Sequence, residues 1–267
     1  MDLKETMKTY IEDLGKFLSY YIHEMGQMVF LTLGIHRWMF RKPFDRKLIL
    51  QQMVRIGFES IPVALTTALF TGMVLALQSG FTLETKIKGV SQFLGSVVSL
   101  ALVRELGPVL TAMVIAGRMG SAVAAEIGAM QVTEQIDALS TLAANPVKYL
   151  AVPRYLAFLF MLPLLTIIAD ITGWFGGLFV STLKFTTSTI YIDSTKSAVE
   201  SKDIMEGLVK ALFFGAIIAV VSCRQGFATT NGAEGVGRAT TNAVVFSFML
   251  ILISDYFLTA IMTMLNI

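Results

Sequence analysis

The chain has 267 residues, of which 55% are hydrophobic and only 15% are charged. A soluble domain of this size carries about 25% charged residues, so the composition predicts a membrane protein and excludes a disordered chain. The formal net charge of +2 gives no sign of nucleic-acid binding. A single cysteine, Cys223, excludes an intrachain disulfide, and two histidines are too few for a histidine-based metal site.

The N-terminal segment differs in composition from the rest, because residues 1–59 hold 16 of the 40 charged residues. An amphipathic stretch over 17–35 is followed by a basic run from Arg37 to Lys47. This pattern predicts a helix lying in the membrane interface with a basic anchor against anionic headgroups. A sixth, weak span over 17–35 is the alternative. We predict no signal peptide, since Asp2 and Glu5 stand where a basic n-region is expected.

Five later stretches are long and apolar enough to cross a membrane as helices, which need about 20 residues each. They do not alternate as the strands of a membrane barrel would. We therefore predict an all-α integral membrane protein, with an interfacial region over 1–50 and a membrane domain over 51–267. The predicted spans cover about 60–83, 91–117, 155–183, 203–223 and 239–265.

The distribution of Lys and Arg among the short loops predicts the orientation. Basic residues are concentrated before the first span and in the loops 118–154 and 224–238. This excess places those loops and the N-terminus in the cytoplasm. With five spans, the C-terminus then lies on the outer side.

The stretch 104–139 is the most informative part of the sequence. Gly117, Gly120 and Ser121 are predicted to end the second span. From Thr133, which could act as its N-cap, a short amphipathic helix is predicted in the following cytoplasmic loop. Such a helix could dock on a soluble partner, and packing against the membrane is the alternative.

A glycine-rich run over 232–239 is similar to a phosphate-binding loop. However, Arg238 replaces its lysine and Ala239 replaces its magnesium-binding hydroxyl residue. We therefore predict a flexible cytoplasmic turn that binds no nucleotide. No catalytic triad or zinc pattern can be assembled, so we predict a chain that is not an enzyme and binds no metal or cofactor.

Several runs in the sequence resemble the MlaE/YrbE permeases, over about residues 50–262. They are RELGPVL, EIGAMQVTEQIDAL, RATT at 238–241 and DYFLTA at 255–260. These permeases are membrane subunits of ABC transporters that move phospholipid between the two membranes of diderm bacteria and chloroplasts. The resemblance implies a homodimer in the bacterial inner membrane, maintaining outer-membrane lipid asymmetry. It also implies two partner proteins. One is a separate ATP-binding cassette ATPase, which binds and hydrolyses ATP, and the other is a periplasmic MCE-domain protein.

The matching motifs imply two sites. A lipid pocket open to the periplasm would include Leu75, Gln78, Arg104, Glu105, Leu106 and Asp255. Coupling to the ATPase would involve Glu126, Gly128, Glu134 and Asp137.

Charges inside the predicted spans leave other functions open. A permease or channel for an ion or small polar solute could use them as its pathway, and a structural scaffold would use them only for stability. We expect Asp255 to neutralise Arg104, with Lys210 as a further base if it reaches inward. Gly173 and Gly177 could let two helices approach closely, either between the two subunits of a homodimer or within one subunit.

Overall fold

The backbone consists of helices joined by short turns. The computed structural model describes residues 3–41, 46–86 and 91–265, and within these ranges it contains no strand, which confirms the all-α prediction. The helices are α1 (Leu3–Met39), α2 (Arg46–Ile56), α3 (Ile61–Lys86), α4 (Leu94–Ala101), α5 (Gly107–Ile115), α6 (Ser121–Val132), α7 (Gln135–Thr141), α8 (Val152–Lys184), α9 (Ser188–Ala198), α10 (Ser201–Phe227) and α11 (Gly232–Leu265).

Five helical segments among the described residues are long and apolar enough to cross a membrane, in agreement with the predicted number. The α1 helix, although long, is not among them. Each segment continues past its predicted apolar stretch at the end of the bundle that carries α7, here termed the α7 end. The opposite end carries α9. The five spans are Arg46–Thr85, Leu94–Val132, Val147–Lys184, Ser201–Phe227 and Gly232–Leu265.

The second span is one continuous helical segment of 39 residues. Two single-turn π-helical segments, Leu102–Leu106 and Ala116–Gly120, join α4, α5 and α6. The prediction that Gly117, Gly120 and Ser121 end this helix is therefore wrong. The π turn accommodates the glycines, and the Ser121 hydroxyl donates to the Gly117 carbonyl at 2.5 Å.

The turn between α6 and α7 also differs from the predicted cap. Thr133 donates its hydroxyl back to the Ala129 carbonyl of α6 at 2.7 Å and caps nothing that follows. Glu134, with a φ of 59°, reverses the chain in the left-handed region, and α7 begins at Gln135. A helix of seven residues, α7, follows this turn and begins two residues after Thr133.

The glycine-rich run at 232–239 is helical, and the predicted flexible turn is wrong. Gly232, with a φ of 62°, starts α11, and the remaining residues of the run form its first two turns. The preceding residues 229–231 make the actual turn between the fourth and fifth spans.

Glycines bring α3 and α8 together in the interior of the bundle. A Cβ atom on Gly72 would collide with the backbone of Gly173, and one on Gly176 would collide with the Leu69 carbonyl. Gly177 faces Tyr191 and Val98 in the same way. The small-residue face of the third span is therefore packed within the subunit rather than exposed for a dimer contact.

Candidate functional site

The site is built around two adjacent charged residues in the second span. Arg104 and Glu105 lie on the π-helical turn that precedes Pro108. Neighbouring residues on a helix point about 100° apart, so the two side chains reach different partners. Single π turns occur frequently at functional sites because they change the direction of side chains within a helix.

Arg104 finds its carboxylates on α10. Its Nε donates to Asp203 Oδ1 at 2.7 Å, and Glu206 lies 3.8 Å from the same nitrogen. The prediction that Asp255 neutralises Arg104 is therefore wrong, because the partner helix is α10 rather than α11. Asp203 also accepts the Glu200 N–H at 2.7 Å as part of a capping box, which fixes its side chain at the start of α10.

Lys210 is the buried base of the site, as it does reach inward. Its Nζ lies 2.7 Å from Glu105 Oε1, 2.9 Å from the Arg104 carbonyl and 3.5 Å from Glu206 Oε1. Asp255 approaches the same ammonium at 3.7 Å, too far for a hydrogen bond. The Lys210 side chain is fully buried, so these acceptors must replace its hydration.

Exposure divides the cluster into an inner and an outer part. The side chains of Asp203, Glu206 and Lys210 are buried. Arg104 and Glu105 retain 51% and 40% exposure, and Asp255 retains 21%. The inner groups thus hold an arginine and a carboxylate that are open to a ligand.

The carboxylates outnumber the bases, with four against two. An ionised group inside a membrane costs on the order of 3 kcal/mol on insertion scales. The cluster therefore depends on mutual pairing and on access to water or to a cationic ligand at Glu105 and Asp255. Thr259 on α11 adds a hydrogen bond of 3.1 Å to Glu105 Oε1.

The two apolar residues implied for the pocket lie in one cluster, whereas the polar Gln78 does not. Leu75 of α3 and Leu106 both pack against the buried group formed by Ala76, Leu94, Val98, Leu102 and Tyr191. Gln78 lies one turn further along α3 and is exposed. The structure thus forms two groups from the implied residues: Leu75 and Leu106 share the apolar cluster, and Glu105 and Asp255 meet at Lys210 beside Arg104, while Gln78 is exposed on α3.

Sequence reasoning missed Asp203 and Glu206 as site residues. A signal for them was present, because Asp203, Glu206 and Lys210 follow one another at spacings of three and four and so lie on one helical face. Asp170 stays outside this cluster. It lies against Gly107 with one buried oxygen that lacks a hydrogen bond, beside a separate apolar groove of about 480 Å³.

The four residues implied for ATPase coupling divide into two pairs at the α7 end. Glu126 binds Arg55 at 2.6 Å and the buried Arg154 at 2.9 Å, so it links the first three spans. Gly128 allows close approach of Thr229, whose Oγ1 lies 2.8 Å from where a Cβ would be. Glu134 and Asp137, in contrast, are exposed.

No group of three or more His, Cys, Asp or Glu side chains suited to a metal ion occurs in the described parts of the chain. The site consists of ion pairs, and exposed apolar side chains of α11, among them Tyr256 and Phe257, follow Asp255. Such an arrangement can bind a molecule with both charged and apolar parts.

Known proteins match the chain over most of its length. The family model described as Permease MlaE matches residues 49–261. The chain is 36% identical over 262 residues to the intermembrane phospholipid transport system permease protein MlaE of Haemophilus influenzae, covering 95% of this chain and 97% of that protein. It is 44% identical over 247 residues to a probable ABC transporter permease protein of Rickettsia felis, covering 92% and 95%. The chloroplast protein TRIGALACTOSYLDIACYLGLYCEROL 1 of Arabidopsis thaliana is 44% identical over 212 residues, covering 79% and 60%.

Proposed function

Because the chain belongs to the MlaE permease family, we propose that it is the membrane subunit of an ABC transporter that moves phospholipids between the inner and outer membranes. Membership makes it a multi-pass membrane permease, a transport subunit rather than a catalytic enzyme. The observation that carries the phospholipid assignment is the half-exposed pair of Arg104 and Glu105, which Lys210 links to Asp255 on α11, where the neighbouring Tyr256 and Phe257 are exposed. Such transport would maintain the lipid asymmetry of the outer membrane.

The two exposed charges match the two charges of a zwitterionic headgroup. The guanidinium of Arg104 can donate to phosphate oxygens, a geometry for which arginine is well suited. Glu105 and Asp255 can accept from an ammonium group. Lys210 stays buried beneath them and keeps Glu105 in place.

A cytoplasmic ATP-binding cassette ATPase would supply the energy by docking on α7. Glu134, Asp137 and the exposed Leu142 offer that partner both acidic and apolar contacts. The second span runs without interruption from Arg104 to Val132, just before this turn. Movement of α7 would therefore reach the lipid site through one helix.

The permease would act as a homodimer, with a periplasmic MCE-domain protein at the α9 end. Of the five spans, α11 is the least buried, and it exposes Val245, Met249, Leu252 and Tyr256. Association with a second copy through this face would place the two charged clusters close together. The N-terminus would be cytoplasmic and the C-terminus periplasmic, with α1 in the interface.

The test is the lipid carried by the complex of permease and ATPase. Mass spectrometry should find phospholipid in the wild-type complex and clearly less in Arg104→Gln and Glu105→Gln. Arg238→Gln removes an exposed arginine at the α7 end, paired only with Glu234 among the described residues, and should carry wild-type amounts. Wild-type lipid content in both site variants, together with an ion flux that they abolish, would favour the ion permease instead.

A further inference from the structure

A second cleft lies at the α7 end, remote from the charged cluster. It has a volume of about 610 Å³ and lies between the end of α1, the start of α2 and the start of the third span. The first and third spans both begin there, so the cleft lies where they enter the membrane. Its principal lining residues are Trp38, Arg41, Leu48, Ile49, Lys148 and Tyr149.

The upper wall of the cleft is cationic and aromatic. The guanidinium carbon of Arg41 lies 5.0 Å from the centre of the Trp38 ring, and Lys148 Nζ lies 5.8 Å from the same centre. These distances are typical of cation–π contacts, which hold both cations at the cleft. Tyr149 is half exposed beside them, and no acidic residue occurs among the described lining residues.

The lower wall is apolar, formed by Leu48 and Ile49 on one side and by Val152 and Pro153 on the other. Tryptophan and tyrosine prefer the boundary between headgroups and acyl chains, where a ring contacts apolar groups and its polar atom contacts water. The cleft therefore changes from cationic to apolar along the direction in which a lipid changes from headgroup to acyl chain.

We propose that this cleft binds one anionic phospholipid of the adjacent leaflet, the cytoplasmic one in the orientation proposed above. The phosphate lies between Arg41 and Lys148, and the glycerol backbone and upper acyl chain pack on Leu48 and Ile49. The bound lipid joins the end of α1 to the first and third spans. This site is distinct from the transport pocket and does not require that the chain carry phospholipid.

Two other occupants fit less well. A soluble phosphate would leave the apolar wall exposed to water, and a protein partner would have to reach residues that line the membrane boundary. The ATPase is nevertheless a competing occupant, because α7 and the 143–145 turn are close by. The experiment must separate these sources.

The chain has only two tryptophans, which gives a direct probe. Trp174→Phe leaves Trp38 as the only tryptophan of the chain, and Trp38→Phe leaves Trp174. The full permease–ATPase complex, with every tryptophan of the ATPase and of the scaffold protein replaced by phenylalanine, is placed in nanodiscs containing phosphatidylglycerol or phosphatidylcholine brominated on the acyl chain. Quenching of tryptophan fluorescence is then measured against the fraction of brominated lipid.

We expect Trp38 to be quenched at a much lower fraction of phosphatidylglycerol than of phosphatidylcholine, and Trp174 to show no such preference. Arg41→Gln with Lys148→Gln should weaken the phosphatidylglycerol effect about a hundredfold, since each charged hydrogen bond contributes roughly tenfold. Arg46→Gln with Lys47→Gln removes the same charge from exposed residues outside the cleft. It should produce a smaller loss, through the surface potential alone.

The proposal is overturned by equal quenching by the two lipids, by an equal loss in both double variants, or by displacement of the lipid by soluble glycerol phosphate. It is also overturned if Arg41→Gln with Lys148→Gln loses binding of the ATPase without any change in quenching. Arg104→Gln separates this site from the transport pocket. If Arg104→Gln abolishes Trp38 quenching, the signal belongs to the pocket and the cleft proposal fails.

Discussion

The ammonium of Lys210 lies 2.7 Å from the carboxylate of Glu105, and this ion pair joins the fourth span to the second. Lys210 is fully buried whereas Glu105 is 40% exposed. One member of the pair therefore supports the fold and the other faces a ligand. The two roles can be separated by mutation.

Lys210→Met should destabilise the protein strongly. It leaves the buried Glu206 without its ammonium and Glu105 without its closest cation, and removing one partner of a buried pair costs about 3–5 kcal/mol. The midpoint of thermal unfolding in detergent should fall clearly. Lys196→Met removes an exposed lysine on α9 and should leave the midpoint unchanged. An equal midpoint for Lys210→Met would show that the buried charges do not depend on this lysine.

Asp203 combines a cap and an ion pair, and two substitutions distinguish them. Asp203→Asn keeps an oxygen that can accept the Glu200 N–H but removes the charge beside Arg104. It should lower the amount of bound phospholipid with little change in stability. Asp203→Ala also removes the cap and should cost about 1 kcal/mol more. The idea fails if the two variants bind equal, wild-type amounts of lipid.

The number of spans could be read from the sequence because long uncharged runs suffice to identify membrane helices. The ion pairs of Arg104 could not be read from the sequence, because no local pattern encodes whether α10 or α11 packs beside Arg104. The end of the second span was mispredicted for a related reason. Gly117 and Gly120 favour termination locally, but burial of Ala124 and Ile127 against neighbouring helices stabilises the continued helix.

Part of the charged cluster was available to sequence reasoning. The predicted fourth span begins at residue 203, and its charged residues Asp203, Glu206 and Lys210 share one helical face. The sequence alone does not show that Glu126 forms ion pairs within the chain whereas Glu134 and Asp137 are exposed. Only the positions of Arg55 and Arg154 show that Glu126 is bound within the chain.

Substitution of Gly72 should disrupt the contact between α3 and α8. In Gly72→Ala the new methyl group would overlap the backbone of Gly173, so the two helices must separate. We expect a large loss of folded protein in fluorescence-detected size-exclusion chromatography. Gly237→Ala is the matched control, because nothing lies within 4 Å of the new atom and alanine favours a helix by about 0.5–1 kcal/mol. Equal yields of the two variants would contradict the close packing.

Reversal of the exposed charges beside α7 should weaken binding of the ATPase. Glu134→Lys with Asp137→Lys changes two residues that are exposed, so the permease should still insert and unfold at its usual temperature. Surface charges act mainly on the rate of association and on its salt dependence. Copurification of the ATPase should therefore fall most at low ionic strength. Glu84→Lys with Asp193→Lys makes the same change in net charge on exposed residues toward the α9 end. If both double variants retain the ATPase equally well, α7 does not form the docking surface and the route from ATP to Arg104 must lie elsewhere.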